Sequence, residues 1–307
     1  MSEESDSLRT SPSAASLSEN ELPLPPPPAP IGYVCSLTEE LVAKAREELQ
    51  EKPEWRLRDV QALRDMVRKE YPNLGTSLED AFLLRFLRAR KFDYDRALQL
   101  LVNYHSCRRS WPEVFNNLRP SALKEVLASG FLTVLPHTDP RGCHILCIRP
   151  DRWIPSNYPI TENIRATYLT LEKLIQSEET QVNGIVILAD YKGVSLSKAS
   201  HFGPFIAKKV IGILQFFLHG SDLNSLHTNL PRNILPKEYG GTAGELDITA
   251  WNAVLLASEE DFVREFCQPV PPCDSILGQA PAPEALGPDA PCDDSTRAVK
   301  SQLYSCY

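Results

Sequence analysis

The sequence lacks long hydrophobic runs and the common signatures of catalysis and phosphate binding. No apolar stretch approaches the roughly 18 residues that cross a bilayer, which argues against an integral membrane protein. There is no G-x-S-x-G motif to position a hydrolase nucleophile. Neither G-x-x-x-x-G-K-[ST] nor G-x-G-x-x-G occurs, so no phosphate-binding loop is indicated. The six histidines are scattered. We therefore expect no catalytic residues and no enzymatic activity.

The eight cysteines do not follow a metal-binding pattern. The first residues are polar and acidic, unlike a secretory signal, so we expect a cytoplasmic protein with reduced thiols. Cys143 and Cys147 lie in a run that is typical of a strand, where residues four apart are separated by roughly 13 Å. That separation is too large for one zinc ion. We expect no metal site and no cofactor.

The acidic charge lies mainly at the two ends of the chain. The formal net charge is −8, which argues against nucleic-acid binding. Residues 1–30 contain five acids and one arginine, and residues 257–307 contain nine acids and three basic residues. The body between them carries a net charge of +2. It presents either a basic face to an anionic surface or a solvated surface of mixed charge, and both interpretations stay open.

Both ends are expected to be tails. Residues 1–36 are rich in Ser, Glu and Pro, and residues 257–307 are acidic and rich in Pro. Such segments bury too little apolar surface to offset the entropy of ordering. The run Pro25–Pro28 would suit docking to a protein partner, so protein partners are expected through the tails if anywhere.

Residues 37–117 predict a helical domain. Apolar residues recur at helical spacing from Leu37 to Gln50 and from Leu57 to Val67. Ser77-x-x-Asp80 resembles a capping box that opens a helix from 78 to 90. Asp93 is expected to cap the next helix. Basic residues crowd the end of the third helix, where they either stabilise its C-terminus or form a basic surface: Arg85, Arg88, Arg90 and Lys91.

Residues 118–256 alternate strands with helices, which predicts an α/β sheet with crossover connections. Asp190, at the end of an aliphatic strand typical of burial on both faces, is either a turn cap or a catalytic carboxylate. A short strand-like run, Phe216–Gly220, follows the last helix. The expected strands are Phe131–Leu135, Cys143–Arg149 and Ile185–Ala189. The expected helices are Ile160–Ile175 and Ser195–Gln215.

Three segments resemble the CRAL-TRIO (Sec14-like) lipid-binding family. Leu83–Asp93 is similar to the helical entry domain, Asn183–Gly193 to the central strand, and Leu235–Gly241 to the closing motif of that family. They occur in the family's order and span about residues 40 to 255. The resemblance implies an N-terminal helical CRAL-TRIO-N domain followed by a CRAL-TRIO αβα sandwich.

The resemblance also implies a ligand and a site. A bulky hydrophobic molecule, tocopherol-like or another lipid, would lie between the sheet floor and helices and be carried between membranes. The implied ligand-binding positions, for which ordinary core packing is the alternative, are Ile164, Thr167, Leu171, Ile185, Ala189, Phe202, Ile213 and Leu214. The protein would associate transiently with an anionic, phosphoinositide-containing membrane. The residues expected to contact this membrane are Lys208, Lys209, Arg85, Arg88 and Arg90.

One departure from the family lies at the join between Gln215 and Phe216. The family has several dozen further residues there, which form a sheet strand and an amphipathic gate helix. We therefore expect a shortened form that lacks a strand and the lid and that transfers its ligand poorly. The alternative function is that of a non-carrier interaction protein, which uses the residual fold and the tails as a scaffold.

Overall fold

The computed structural model describes residues 33–195, residue 198 and residues 223–267. From Val34 onwards, these residues belong to one compact unit. The expected helix from 195 to 215 and the strand-like run from 216 to 220 lie outside the described residues, apart from Ser195 and Lys198. So do five of the expected site residues: Phe202, Lys208, Lys209, Ile213 and Leu214.

The predicted helical domain is confirmed. Thr38 caps the first helix by accepting a hydrogen bond from the Leu41 amide, and Asp93 caps the fourth by accepting from the Arg96 amide. The bounds are α1 Glu39–Leu49, α2 Arg56–Glu70, α3 Asp80–Ala89 and α4 Tyr94–Ser110.

The predicted capping box at the start of α3 is wrong. The Ser77 hydroxyl accepts a hydrogen bond from the Glu79 amide at 3.3 Å, which makes a turn and not a helix cap. The helix begins at Asp80, two residues later than expected, and its N-cap residue Glu79 makes no side-chain capping bond. Asp80 instead pairs with Arg64 of α2, so α3 is held at its start by a neighbouring helix.

Three strands form a mixed sheet in the order β1-β2-β3 within the described part of the chain. The first pair is antiparallel and the second pair parallel. Leu146 of β2 lies opposite both Val134 and Ile187, so these three side chains share a face. The α/β class predicted from the sequence is confirmed. The bounds are β1 Leu132–Val134, β2 His144–Ile148 and β3 Ile185–Ala189.

Helices pack on both faces of this sheet. The Leu146 face contacts α7 (Ile160–Ile175), whose Ala166 and Leu169 belong to the same buried cluster. The opposite face, with Ile145 and Cys147, contacts α9 (Leu223–Asn229) and the chain that follows it. The remaining short helices before β3 are α5 Pro112–Phe115, α6 Lys124–Ala128 and α8 Glu178–Asn183.

The closing motif predicted from the family ties the chain back to the sheet. The Tyr239 hydroxyl lies 3.3 Å from both the Cys147 sulfur and the Asp190 carboxylate, at β2 and at the end of β3. Gly240 has a φ of 69°, a conformation that other residues adopt at a cost. A Cβ at Gly241 would overlap the backbone carbonyl of Leu235. Glycine is therefore required at 241 and favoured at 240.

The C-terminal part of the described chain differs from the expectation of a tail from residue 257. Helix α10, Thr249–Leu256, is followed by α11, Glu259–Phe266, and the side chains of Phe262 and Phe266 lie in the main core. Ser121 donates from its amide and its hydroxyl to the Glu259 carboxylate, which anchors the start of α11. Of the helices in the described ranges, none combines the length and the apolar character needed to cross a membrane.

Candidate functional site

Helix α7 has one fully buried face and one half-buried apolar stripe. On the buried face, the Arg165 guanidinium donates to the carbonyls of 113, 114, 116 and 117 at 2.9–3.1 Å, which fixes the helix against α5. Ile164 and Leu171 are half-buried and pack against the main core, two helical turns apart. They form an apolar strip along one side of the helix, packed against the cluster that contains Leu146 and Ile185 of the sheet.

Strand β3 contributes residues to the same apolar cluster. Ile185 is buried, Ile187 is half-buried, and both belong to the apolar cluster that also contains Ile164 and Leu171. Ala189 shares their face by the two-residue period of a strand, but it is exposed. The strand is therefore less covered than the prediction of burial on both faces implied, because only its first residue is fully buried.

The structure brings three of the predicted ligand-binding residues into one apolar cluster: Ile164, Leu171 and Ile185. Thr167 lies between them on α7, and its hydroxyl donates to the Asn163 carbonyl at 2.8 Å. A hydroxyl that donates to its own helix keeps its lone pairs available as acceptors. The arrangement is an apolar surface with one polar edge.

Two of the three arginines expected at a membrane lie in the interior, which corrects that expectation. Arg85 is 7% exposed and pairs with Glu172 at 3.2 Å. Arg88 is 1% exposed and pairs with Glu51 at 2.8 Å and Glu178 at 2.9 Å. Because isolated charges are costly to bury, carboxylates surround these cations. Neither guanidinium is available to a lipid headgroup in this structure.

Arg90 differs from these two. It is half-buried, and its guanidinium donates to the Ala89 carbonyl at 3.0 Å. Partial burial, with Arg96 nearby, lowers the pKa of Arg90 from its usual value. Among the described members of the predicted membrane set, it is the one that keeps part of its surface accessible.

Asp190 has a structural role that fits the turn-cap interpretation. Its carboxylate accepts a hydrogen bond from the Lys192 amide at 2.9 Å, directly after β3. The neighbouring Cys147 thiol is buried, and burial raises its pKa to about 11. A thiol in this state is a poor nucleophile near neutral pH. The group at the end of β3 therefore holds the closing motif in place.

A concave feature lies beside the end of α6 and the segment that follows β2. It is a cleft of about 460 Å³, and none of the predicted ligand-binding residues lines it. Sequence reasoning missed it because its residues come from separate turns with no shared motif. Its lining is mixed in polarity: Glu125, Ala128, Ser129, Asp151, Arg152, Ile154, Asn157 and Tyr158.

Two family models match the chain. The model described as CRAL/TRIO, N-terminal domain, matches residues 40–103, which contain α1 to α3 and most of α4. The model described as CRAL/TRIO domain matches residues 128–216, which contain the sheet and α7. The second match ends at the residue that follows Gln215, next to the join at which the sequence analysis predicts a departure from the family.

Curated relatives match over the full chain. The protein named Alpha-tocopherol transfer protein-like from Homo sapiens is 81% identical over 344 aligned positions, which cover all of both chains. The protein of the same name from Mus musculus is 80% identical over the same length. This chain has 307 residues, so it is shorter than that alignment. Clavesin-2 from Rattus norvegicus is 33% identical over 75% of this chain and 82% of its own. The resemblance drawn from the three motifs is confirmed, and the chain belongs to the CRAL/TRIO family.

Proposed function

We propose that this chain binds a bulky hydrophobic ligand between α7 and β3 and carries it between membranes. The observation that carries the proposal is a half-buried apolar surface in one cluster, formed by Ile164 and Leu171 of α7 and Ile187 of β3. Apolar side chains left partly uncovered inside a fold are what a hydrophobic ligand would cover. The relatives named Alpha-tocopherol transfer protein-like support a transfer function and a ligand similar to α-tocopherol in size and polarity.

Substitution on the strip tests the ligand site. In Ile164→Asp, a bound lipid would cover an unpaired carboxylate, so we expect binding of a fluorescent lipid to weaken by at least about tenfold. The matched control is Ile154→Asp, which changes an apolar residue that is 50% exposed and away from the strip. Equal binding by both variants, with unchanged melting temperatures, would refute the proposed site.

We also propose that this form transfers its ligand less efficiently than its longer relatives. The alignment with them spans 344 positions against 307 residues here, and the CRAL/TRIO match ends at 216. In the described part of the chain, β3 forms one edge of the sheet and ends in the exposed Ala189. A further strand and a lid at this edge would cover the ligand, so their loss should increase its escape.

Delivery requires contact with a membrane, and we propose that a cytoplasmic protein makes this contact transiently through Lys208 and Lys209. The support is the sequence alone, since both residues lie outside the described ranges. Sedimentation with phosphoinositide-containing vesicles tests the pair. Lys208→Ala/Lys209→Ala should reduce binding about 30-fold, at roughly 1 kcal/mol for each charge. The control is Arg68→Ala/Lys69→Ala, an exposed adjacent pair on α2, and equal losses in both variants would refute the assignment.

A further inference from the structure

One carboxylate holds the serine that precedes the first helix. The amide and the hydroxyl of Ser36 both donate to the same oxygen of Glu178, each at 2.6 Å. The other oxygen of that carboxylate accepts a hydrogen bond from the Arg88 guanidinium at 2.9 Å. Glu178 therefore joins the chain before α1 to a buried cation of α3.

The Ser36 contact lies at one end of the interface between α1 and α8. Glu178 opens α8 and Asn183 closes it, and Lys44 of α1 donates to the Asn183 side chain at 2.5 Å. A small buried apolar cluster lies at this interface: Ala45, Leu49 and Val182. Since α8 leads into β3, a change at Ser36 acts on a contact between the helical domain and the element that leads into the sheet.

Ser36 is open to a modifying enzyme. It is exposed, and residues 33–38 form neither helix nor strand. Two exposed carboxylates follow it at the third and fourth positions, Glu39 and Glu40. Kinases select substrates by such charge patterns, and an acid-directed serine kinase is one whose substrate groove accepts carboxylates after the serine. The segment therefore has the charge pattern that this class of enzyme selects.

We propose that Ser36 is a phosphorylation site for an acid-directed serine kinase, and that its phosphate separates the segment before α1 from α8. In the transfer, the Ser36 oxygen bonds to the γ-phosphorus of ATP and its proton passes to the catalytic carboxylate of the kinase. The bond between that phosphorus and the bridging oxygen breaks, and ADP leaves. The inference needs no bound lipid, so it stands apart from the proposed function.

The phosphate turns an attractive contact with Glu178 into a repulsive one. It carries a charge of about −1.5 to −2 near neutral pH, and the serine oxygen has no proton left to donate. That oxygen lies 2.6 Å from the Glu178 carboxylate. Arg88 cannot turn outwards to neutralise the phosphate, because it is 1% exposed and also donates to Glu51 at 2.8 and 2.9 Å. The segment therefore moves away, and the Ser36 amide loses its acceptor.

Phosphorylation of the full chain tests both parts of the inference. The chain is incubated with ATP and casein kinase 2, an acid-directed kinase, and mass spectrometry locates the phosphates. We expect a phosphate on Ser36 and severalfold slower addition there in Glu39→Gln/Glu40→Gln. Protection of the residue 36 amide against hydrogen exchange should fall about tenfold, since a hydrogen bond to a charged acceptor is lost. The reference is Ser36→Ala treated with the same kinase, which retains every phosphate on other residues.

Two variants serve as controls. Ser77→Ala changes another exposed serine with an acid, Asp80, three positions later, and it should leave the phosphorylation of Ser36 and the loss of protection unchanged. Glu178→Gln keeps an acceptor oxygen but removes the negative charge, so phosphorylation should reduce the protection of the residue 36 amide less than in the wild type.

The contrary outcomes address each part. Absence of phosphate from Ser36, or equal rates with and without the two acids, would overturn the assignment of the site. Phosphate on Ser36 with protection no lower than in the treated Ser36→Ala reference would overturn the separation from α8, and this comparison does not depend on the Glu178 variant. An equal loss of protection in Glu178→Gln would show that repulsion by Glu178 is not its cause.

Discussion

At the scale of single residues, the basic cluster of α3 shows how burial changes the meaning of a charge. Arg88 donates to Glu51 and Glu178, which are 37 and 90 positions away in the chain. Gln181 accepts a further hydrogen bond from the same guanidinium at 2.8 Å. The sequence shows four basic residues close together, but the carboxylates that neutralise two of them are distant. A local pattern therefore could not distinguish a membrane-binding surface from an internal ion pair.

Removal of the Arg88 charge should destabilise the whole protein. In Arg88→Met, the fully buried Glu51 loses two of its hydrogen bonds, and such broken buried pairs cost about 3–5 kcal/mol. Urea denaturation measures the free energy of unfolding. Arg68→Met is the control, because its pair with Asp65 is exposed and should change stability by less than about 0.5 kcal/mol. A similar small effect in both variants would show that the ion pairs of Arg88 do not stabilise the fold.

His105 should make stability depend on pH. Burial, with Arg108, Arg109 and Arg85 nearby, lowers the pKa of His105 from 6.5 to about 3. His105 therefore binds a proton near pH 6.5 in the unfolded chain, but in the folded chain it does so only when the pH falls to about 3. The stabilising effect is complete above pH 6.5 and is lost as the pH falls towards 3. Between pH 8 and pH 5.5 the loss should be about 1.4 kcal/mol.

The variant His105→Gln removes this titration but keeps a side chain that can donate to the Thr76 hydroxyl, 2.8 Å from the ring nitrogen. Urea denaturation at pH 8 and pH 5.5 should show a smaller difference for this variant than for the wild type. The exposed His137 gives the control, since His137→Gln should retain the wild-type difference. Identical pH dependence in His105→Gln and the wild type would show that His105 does not make the free energy of unfolding depend on pH.

At the scale of elements, the sequence predicted most of the structure where periodicity or caps were strong. The stripes of α1, α2 and α7 and the aliphatic run of β3 match the observed elements. Helix α9 was not predicted, because its two leucines, Leu223 and Leu226, lie in an otherwise polar stretch. Helix α11 was not predicted either, because three acids open it and an acidic, proline-rich segment follows.

Helix α11 is nevertheless part of the core, and its phenylalanines should matter. Phe262 is 1% exposed, so Phe262→Ala should lower the free energy of unfolding by about 3–5 kcal/mol. Glu260 is exposed on the same helix, and Glu260→Ala should have little effect. Thermal and urea denaturation of the two variants compare them directly. A small loss in Phe262→Ala would mean that α11 does not complete the core.

At the scale of the whole molecule, the helical domain supports the floor of the proposed site. Arg88 of α3 binds Glu178 and Gln181 of α8, and Lys44 of α1 donates to the Asn183 side chain at 2.5 Å. One residue separates α8 from β3, so these contacts position the strand that carries Ile185. The three family motifs predicted this architecture from the sequence. The sequence also predicts that a covering strand and a lid are missing, and this stays a prediction because the expected join lies outside the described residues.

The most direct test of the account is native mass spectrometry of two proteins loaded from the same lipid vesicles. One is this chain, and the other has the additional residues of the longer human relative inserted at the proposed join between Gln215 and Phe216. We predict a lipid-sized adduct on a severalfold larger fraction of the longer protein, and its loss there in Ile164→Asp. Equal adduct fractions in the two proteins would contradict the proposed effect of shortening, and an adduct that survives Ile164→Asp would contradict the site between α7 and β3.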